Sequence, residues 1–531
     1  AGSESYRVTI ELPVRPPAGT QVQTFFQEVL PGEVTVISPP TNWLAESVSM
    51  GGTLAGTPSV ELAGAMDYVV HYPYGCLEQT ISGALPLLRA DDLFRRLPAR
   101  RTAHGDAAAM VAAAIARTLS MQRDSGAFAY WPFENAEAED ASVYALHFLT
   151  EARAAGFDVA LERYDAAMNW ARGRLATSVR GDIESSEWHR DLQIRAYICH
   201  VLALANKPDV GWTARLRELS PRLNDVTKTH VAAALLLSGE PRQAVALLDS
   251  LPMPTPCPRD AGEWLDSDVR AAALLLATWL EVDPQNAAVA KLAQYLRARQ
   301  RDGHWGTTQD NAMALLALGK MAQQLPDAEE PLKGRILFPN GKSRKFSKTN
   351  EVTWALAEGS GGSVTISNAG AGKIYVWSRC EGVGITAEPP TSQGVSLQRE
   401  YLNADGEAIN PAELTQGDLM VVKLTVNPLG RWMDHLILED LLPAGWEIEN
   451  PNLVTSKQIA WLKEEESDRY RDARDDRMLI FTAPIREPAA FHYAVRVVTP
   501  GAYIQPPAMV SGMYEPEIRA VTSGGEVRVV P

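Results

Sequence analysis

Hydrophobic and polar residues fall into three successive rhythms along this chain. Up to about residue 60 they alternate, as in YRVTIELPV and GEVTVISPP, with Pro and Gly between the runs, and this predicts strands. From about 61 to 325 the apolar positions recur at helical spacing, for example in AAAMVAAAIARTL, VYALHFLTEARAAG, HVAAALLLSGE and AMALLALGKMAQQ. Beyond about 330 alternation returns in GRILFPNGKSRKF, where Asn340-Gly341 is placed for a tight hairpin, and in GGSVTISNAGAGKIYVWS. From about 386 a further set of alternating segments follows, including DLMVVKLTVN, FHYAVRVV and EVRVV.

The helical stretch echoes itself. Trp131, Trp188, Trp264 and Trp305 are each followed closely by an acidic residue opening a helix, and Asp140, Asp268 and Asp310 are expected as N-caps. A repeated helix–loop–helix unit predicts paired helices stacked in a ring or solenoid. The strand-rich stretches on either side are each small for a domain, so they are expected to be two halves of one sandwich with the helices inserted. The resulting division is 1–60, 61–328, 329–385 and 386–531.

Composition changes this picture little. The 531 residues exceed one ordinary domain, and 46% hydrophobic with 22% charged residues is normal for packed globular protein. Fifty basic against 65 acidic residues give a net charge of -15 without a basic stripe, which argues against a nucleic-acid partner. No apolar run reaches the roughly 18–20 residues of a membrane span. Ala1-Gly2-Ser3 reads as an expression remnant, and the chain is expected to be a piece of a longer mature protein. Cys76, Cys199, Cys257 and Cys380 have no metal-binding spacing and suggest no disulfide framework, so neither metal nor cofactor is expected.

The candidate chemistry lies in YPYGCLEQT, residues 72–80. Pro73 and Gly75 break structure, and CLEQTISGALPLL runs on with helical periodicity, so Cys76 and Gln79 share the first-turn face of a helix. A helix N-terminus is expected to lower the thiol pKa. A thiolate facing a primary amide can displace ammonia and leave an internal thioester, which survives only where water and amines are excluded. Spacing alone favours the plainer reading, a small apolar core cysteine beside an ordinary helical glutamine.

YPYGCLEQ resembles the thioester motif of the α2-macroglobulin and complement family, in its bacterial form. DGHWGTTQDNAMALLAL (302–318), GAFAYWP (126–132), LEDLLPAGWEIENPNL (438–453), RDDRMLIF (474–481) and MYEPEIRA (513–520) are similar to that branch in the same order. The resemblance implies a multidomain α and β chain: an α/α-toroid thioester domain inserted in a CUB-like β-sandwich, then a macroglobulin-like β-sandwich. Bait-bearing domains of the family are missing here, so only its C-terminal portion is represented. The implied activity is single-use protease inhibition. After bait cleavage a protease lysine attacks the Gln79 acyl carbon and Cys76 leaves, with Tyr72, Met513 and Tyr514 shielding the bond beforehand. His189, in SEWHRDL, is a candidate acyl-transfer helper of the complement kind, against an ordinary exposed helix-start histidine. Glu78 is expected to point away as a surface carboxylate, and Glu464-Glu465-Glu466 and DRYRDARDDR to be solvated loops, the latter able to pair charges across domains.

By the same resemblance the protein is expected in the periplasm, tethered to the inner membrane by an N-terminal lipid, with target proteases and a penicillin-binding protein or other envelope proteins as partners. Three other functions fit parts of the pattern: an envelope scaffold with no formed thioester, a Cys76–His189 hydrolase, and a glycan-active toroid using Asp140 or Asp268.

Overall fold

The computed structural model describes residues 18–88, 106–256, 267–323, 330–357, 359–386, 388–449, 459 and 468–531. The strand expected at 6–14, Cys257, Trp264 and Glu464-Glu465-Glu466 lie outside the described residues. Strands β1 (Thr20–Val29), β2 (Val34–Ile37) and β3 (Ser49–Ala55) precede the helices. Strands β4 (Leu332–Leu337), β5 (Ser343–Thr349), β6 (Glu351–Ala355), β7 (Val364–Asn368) and β8 (Ile374–Val383) follow them. Together they form two four-stranded antiparallel sheets, ordered β1-β8-β3-β6 and β2-β7-β4-β5, closed over Leu54, Ile336, Val364, Val376 and Cys380. Each sheet therefore mixes strands from before and after the helical insertion. Asn340-Gly341 lies in a five-residue loop between β4 and β5, wider than a tight turn, with Gly341 at φ +77°.

The inserted helices are α1 (Leu62–Val70), α2 (Leu77–Ala84), α3 (Ala107–Ser120), α4 (Glu139–Ala154), α5 (Leu161–Ala176), α6 (Ser186–Leu204), α7 (Val210–Glu218), α8 (Asp225–Leu237), α9 (Pro241–Leu248), α10 (Asp268–Val282), α11 (Ala287–Arg299) and α12 (Thr308–Gln323). Contacts run α2 to α4, α6, α8, α10, α12 and back to α2, which closes an inner ring. The remaining helices pack outside it. Inner helices are buried on nearly every side, as across Ala141–Thr150 of α4, whereas outer α11 buries only the stripe Val289, Leu292, Ala293 and Leu296.

The three acidic residues expected as caps lie inside their helices. Ser267 caps α10, accepting from the Arg270 N–H, while Asp268 pairs with Arg299 at 2.6 Å. Asp140 accepts from the Tyr130 hydroxyl at 3.0 Å, and Asp310 from the Ser267 hydroxyl at 2.5 Å. These carboxylates hold one segment to another, which explains their recurrence after the tryptophans. Held so, Asp140 and Asp268 do not form an open carboxylate pair across a cleft.

The C-terminal region comprises β9 (Thr391–Gln393), β10 (Val395–Leu402), β11 (Glu413–Thr415), β12 (Leu419–Pro428), β13 (Leu436–Leu441), β14 (Trp446–Ile448), β15 (Asp468–Ala473), β16 (Arg477–Thr482), β17 (Ala489–Val497), β18 (Gly501–Gln505), β19 (Ala508–Gly512), β20 (Arg519–Val521) and β21 (Gly525–Val530). Its main sheets run β10-β12-β17-β14 and β15-β16-β13-β19-β20-β9. Alternation then decides what each residue touches. Leu438 and Ile480 enter the sandwich core, while Ile437, Leu479 and Phe481 join the core of the helical ring. DRYRDARDDR is strand and turn rather than loop. Its Tyr470 stacks on Trp131 of the ring, and Arg474 reaches the Pro73 carbonyl at 3.2 Å.

Candidate functional site

Cys76 is the N-cap of α2, with extended backbone (φ -65°, ψ 172°). The Gln79 N–H points at Sγ, 3.5 Å away, and the Gln79 Oε1 accepts from the Cys76 N–H at 3.2 Å. This reciprocal capping box folds the thiol and the amide toward each other. Both residues are buried, and the Gln79 Nε2 has no hydrogen-bond partner. An unmet buried donor costs about 1–3 kcal/mol. The turn ahead is held by Arg117 of α3, whose Nε donates to the Gly75 carbonyl at 3.0 Å. The Leu77 N–H donates to the Tyr130 carbonyl at 2.9 Å, so GAFAYWP forms one wall of the site.

Burial pushes the Cys76 thiol upward, and the neighbouring Glu78 pushes it the same way; the Gln79 N–H and the Tyr514 hydroxyl only partly oppose them. The thiolate expected from the helix N-terminus is therefore overruled by desolvation. Tyr72 meets Tyr68 and Tyr74 edge-on at 5.4 and 5.5 Å, and Tyr74 meets Phe481 at 5.8 Å. From the C-terminal sandwich, Tyr514 brings its hydroxyl to 3.8 Å from Sγ, and the buried Met513 packs in the same cluster. Trp131 completes the cover, 4.6 Å from Tyr470 and 4.1 Å from Phe481.

Two residues depart from expectation. Glu78 is fully buried rather than on the surface. It accepts from Ser82 at 2.6 Å and from Thr308 of α12 at 3.0 and 2.9 Å, and burial raises its carboxyl to about 7. His189 sits half-buried in the first turn of α6 with its ring against Trp188. The histidine in the cover is instead His435, 5.1 Å from both Tyr130 and Tyr514. It holds a left-handed backbone (φ +53°), and its carbonyl accepts from the Met513 N–H at 2.9 Å. No sequence signal singled it out beyond its place before a strand. Among the described residues, no group of three or more His, Cys, Asp or Glu could hold a metal ion, and no helix is long and apolar enough to cross a membrane.

A family model described as the bacterial alpha-2-macroglobulin MG10 domain matches residues 394–517. The alpha-2-macroglobulin of Xylella fastidiosa (strain Temecula1) is 27% identical over 552 residues, covering 98% of this chain and 33% of that protein. The chain spans about a third of the length of the curated relatives it matches. The crystal structure of native Escherichia coli alpha-2-macroglobulin, from domain MG7 to the C-terminus, superposes with TM-score 0.78 at 25% identity, covering 97% of this chain and 83% of that one. Salmonella alpha-2-macroglobulin reacted with methylamine gives 0.79 at 26% identity, covering 97% and 34%. By sequence along nearly its whole length and by fold, the chain is similar to the C-terminal part of the bacterial alpha-2-macroglobulins.

Proposed function

We propose that this chain is the reactive portion of a protease trap, in which Cys76 and Gln79 are joined as an internal thioester until a cut elsewhere in the whole protein uncovers them. The observation that carries the reading is the buried capping box, with Sγ turned to Gln79 and the Gln79 Nε2 unpartnered. Loss of ammonia would remove that unmet donor. Tyr72, Met513 and Tyr514 are the shield, and a protease lysine is the nucleophile; Cys76 departs as thiol, so each molecule acts once and is an inhibitor rather than an enzyme. A Cys–His hydrolase is disfavoured by the neutral, covered thiol and by His189 packing against Trp188. The methylamine-reacted Salmonella relative supports amine chemistry in this family.

The same reading divides the chain at 1–60, 61–328, 329–385 and 386–531. It places the whole protein in the periplasm, held to the inner membrane by a lipid, with proteases and penicillin-binding or other envelope proteins as partners. The test is to challenge the full-length protein with a broad-specificity protease and map the product. An isopeptide between Gln79 and a protease lysine, with Cys76 newly free, is expected. Cleavage without any covalent adduct would overturn the reading.

A further inference from the structure

Glu78 stands between the reactive pair and the far wall of the ring. Its carboxyl accepts from Ser82 at 2.6 Å and from Thr308 at 3.0 and 2.9 Å, and the Tyr514 hydroxyl lies close enough to act on it. The Tyr514 hydroxyl lies 3.8 Å from the Cys76 Sγ. One phenol therefore lies beside both the sulfur and the buried carboxylate. The Tyr144 hydroxyl, 3.0 Å away, braces the Ser82 Oγ.

We propose that Glu78 is a positioning residue for thioester formation, taking up the Cys76 thiol proton through the Tyr514 hydroxyl. This rests on the thioester reading above. Because burial keeps the thiol protonated, the sulfur needs a base to attack. The Sγ–Cδ bond to Gln79 forms as the thiol proton moves to the Tyr514 oxygen and the phenolic proton moves to Glu78. The Cδ–Nε2 bond then breaks, its electron pair stays on nitrogen, and the proton returns to that nitrogen, which leaves as ammonia. Thiol plus carboxamide becomes thioester plus ammonia, and Glu78 and Tyr514 are restored. Burial sets the carboxyl at about 7, where it both accepts and releases a proton near neutrality. Tyr514 belongs to the C-terminal sandwich, so the route exists only while that sandwich is docked. The bond is thus made beneath its own cover, and an uncovered site does not remake it.

The test opens the thioester of the full chain with ammonium, which regenerates the Gln79 amide and the Cys76 thiol. Ammonia is then removed, and re-closure is followed by loss of free thiol and of one ammonia in mass across neutral pH. The wild-type rate should rise with pH through about 7. Glu78→Gln should close about 100-fold more slowly with a flat pH profile, and Glu78→Asp should restore part of the rate and its pH dependence. Tyr514→Phe keeps the ring in place and should slow closure comparably; it decides the matter if Glu78→Gln does not fold. Re-closure of Glu78→Gln or Tyr514→Phe at the wild-type rate and pH profile would overturn the proposal while leaving the thioester intact. A wild-type chain that never loses ammonia would overturn the thioester reading and this proposal with it.

Discussion

The helical ring touches two β-sandwiches, and the two contacts are built differently. Toward the first sandwich the chain crosses twice, and the join is tight and ionic. Arg379 pairs with Asp67 at 2.7 Å with both side chains nearly buried. The Trp377 indole enters the ring core, and a Cβ on Gly64 of α1 would come within 3.0 Å of its Nε1. Toward the C-terminal sandwich the chain does not cross directly, because β4–β8 intervene, and the contact is a set of aromatic rings with few polar ties: Trp131 on Tyr470 and Phe481, Tyr74 on Phe481, His435 on Tyr130 and Tyr514. Rings sliding off rings leave few orphaned charges, whereas parting Arg379 from Asp67 breaks a nearly buried ion pair. On the proposed reading one contact is a foundation and the other a removable cover, with Cys76 beneath it.

The largest expected effect sharpens that assignment. Cys76→Ser should abolish amine incorporation at Gln79 completely while leaving both contacts intact, read by peptide mapping after methylamine. Next, Trp131→Ala removes an anchor of the cover, an interface loss of about 2 kcal/mol or more. Spontaneous thiol release should then accelerate about 30-fold or more, with little change in the melting of the first sandwich. Conversely, Asp67→Asn removes one of the two carboxylates on the nearly buried Arg379, which keeps Glu381 at 2.7 Å, and should cost about 2–3 kcal/mol of global stability in denaturant. It should not selectively speed thiol release below the unfolding transition. If Asp67→Asn uncovers the thiol faster than Trp131→Ala does, the comparison is wrong.

The smallest effect is a pH dependence of the cover. Burial, aided by Arg469, lowers the His435 pKa to about 3. Above about pH 6.5 the ring is neutral whether docked or released. Below that the released ring binds a proton that the docked ring refuses, so docking weakens as pH falls from about 6.5 toward 3, by up to about 1.4 kcal/mol per pH unit. Glu78 runs oppositely: its raised carboxyl favours the folded site at low pH and loses that advantage as pH rises through about 7. His435→Phe keeps the ring edge but should flatten the acid limb of thiol release.

The fold was legible where periodicity is long and regular. Alternation marked the strands on both sides of the insertion, and helical spacing marked the ring, because each reports which face an element buries. The facing of Cys76 and Gln79 was legible too, since an i, i+3 spacing at a helix start fixes two side chains relative to each other. What lay opposite them was not. Spacing puts Glu78 off the shared face of Cys76 and Gln79, but α12 closes the ring over it and turns an expected surface position into a buried one. The thiol was misjudged for the same reason, because it is buried beneath residues far along the chain, Tyr514 lying 438 residues away. His435 was invisible as a lone histidine before a strand; only docking of the C-terminal sandwich brings it to Tyr130.

Intact mass of the untreated chain, followed by methylamine and alkylation of free thiols, tests the central claim most directly. The account predicts a mass one ammonia below the sequence value with Cys76 protected, then methylamine gained at Gln79 and one thiol released at Cys76. A full sequence mass with Cys76 already free to alkylate, and no gain from methylamine, would contradict it.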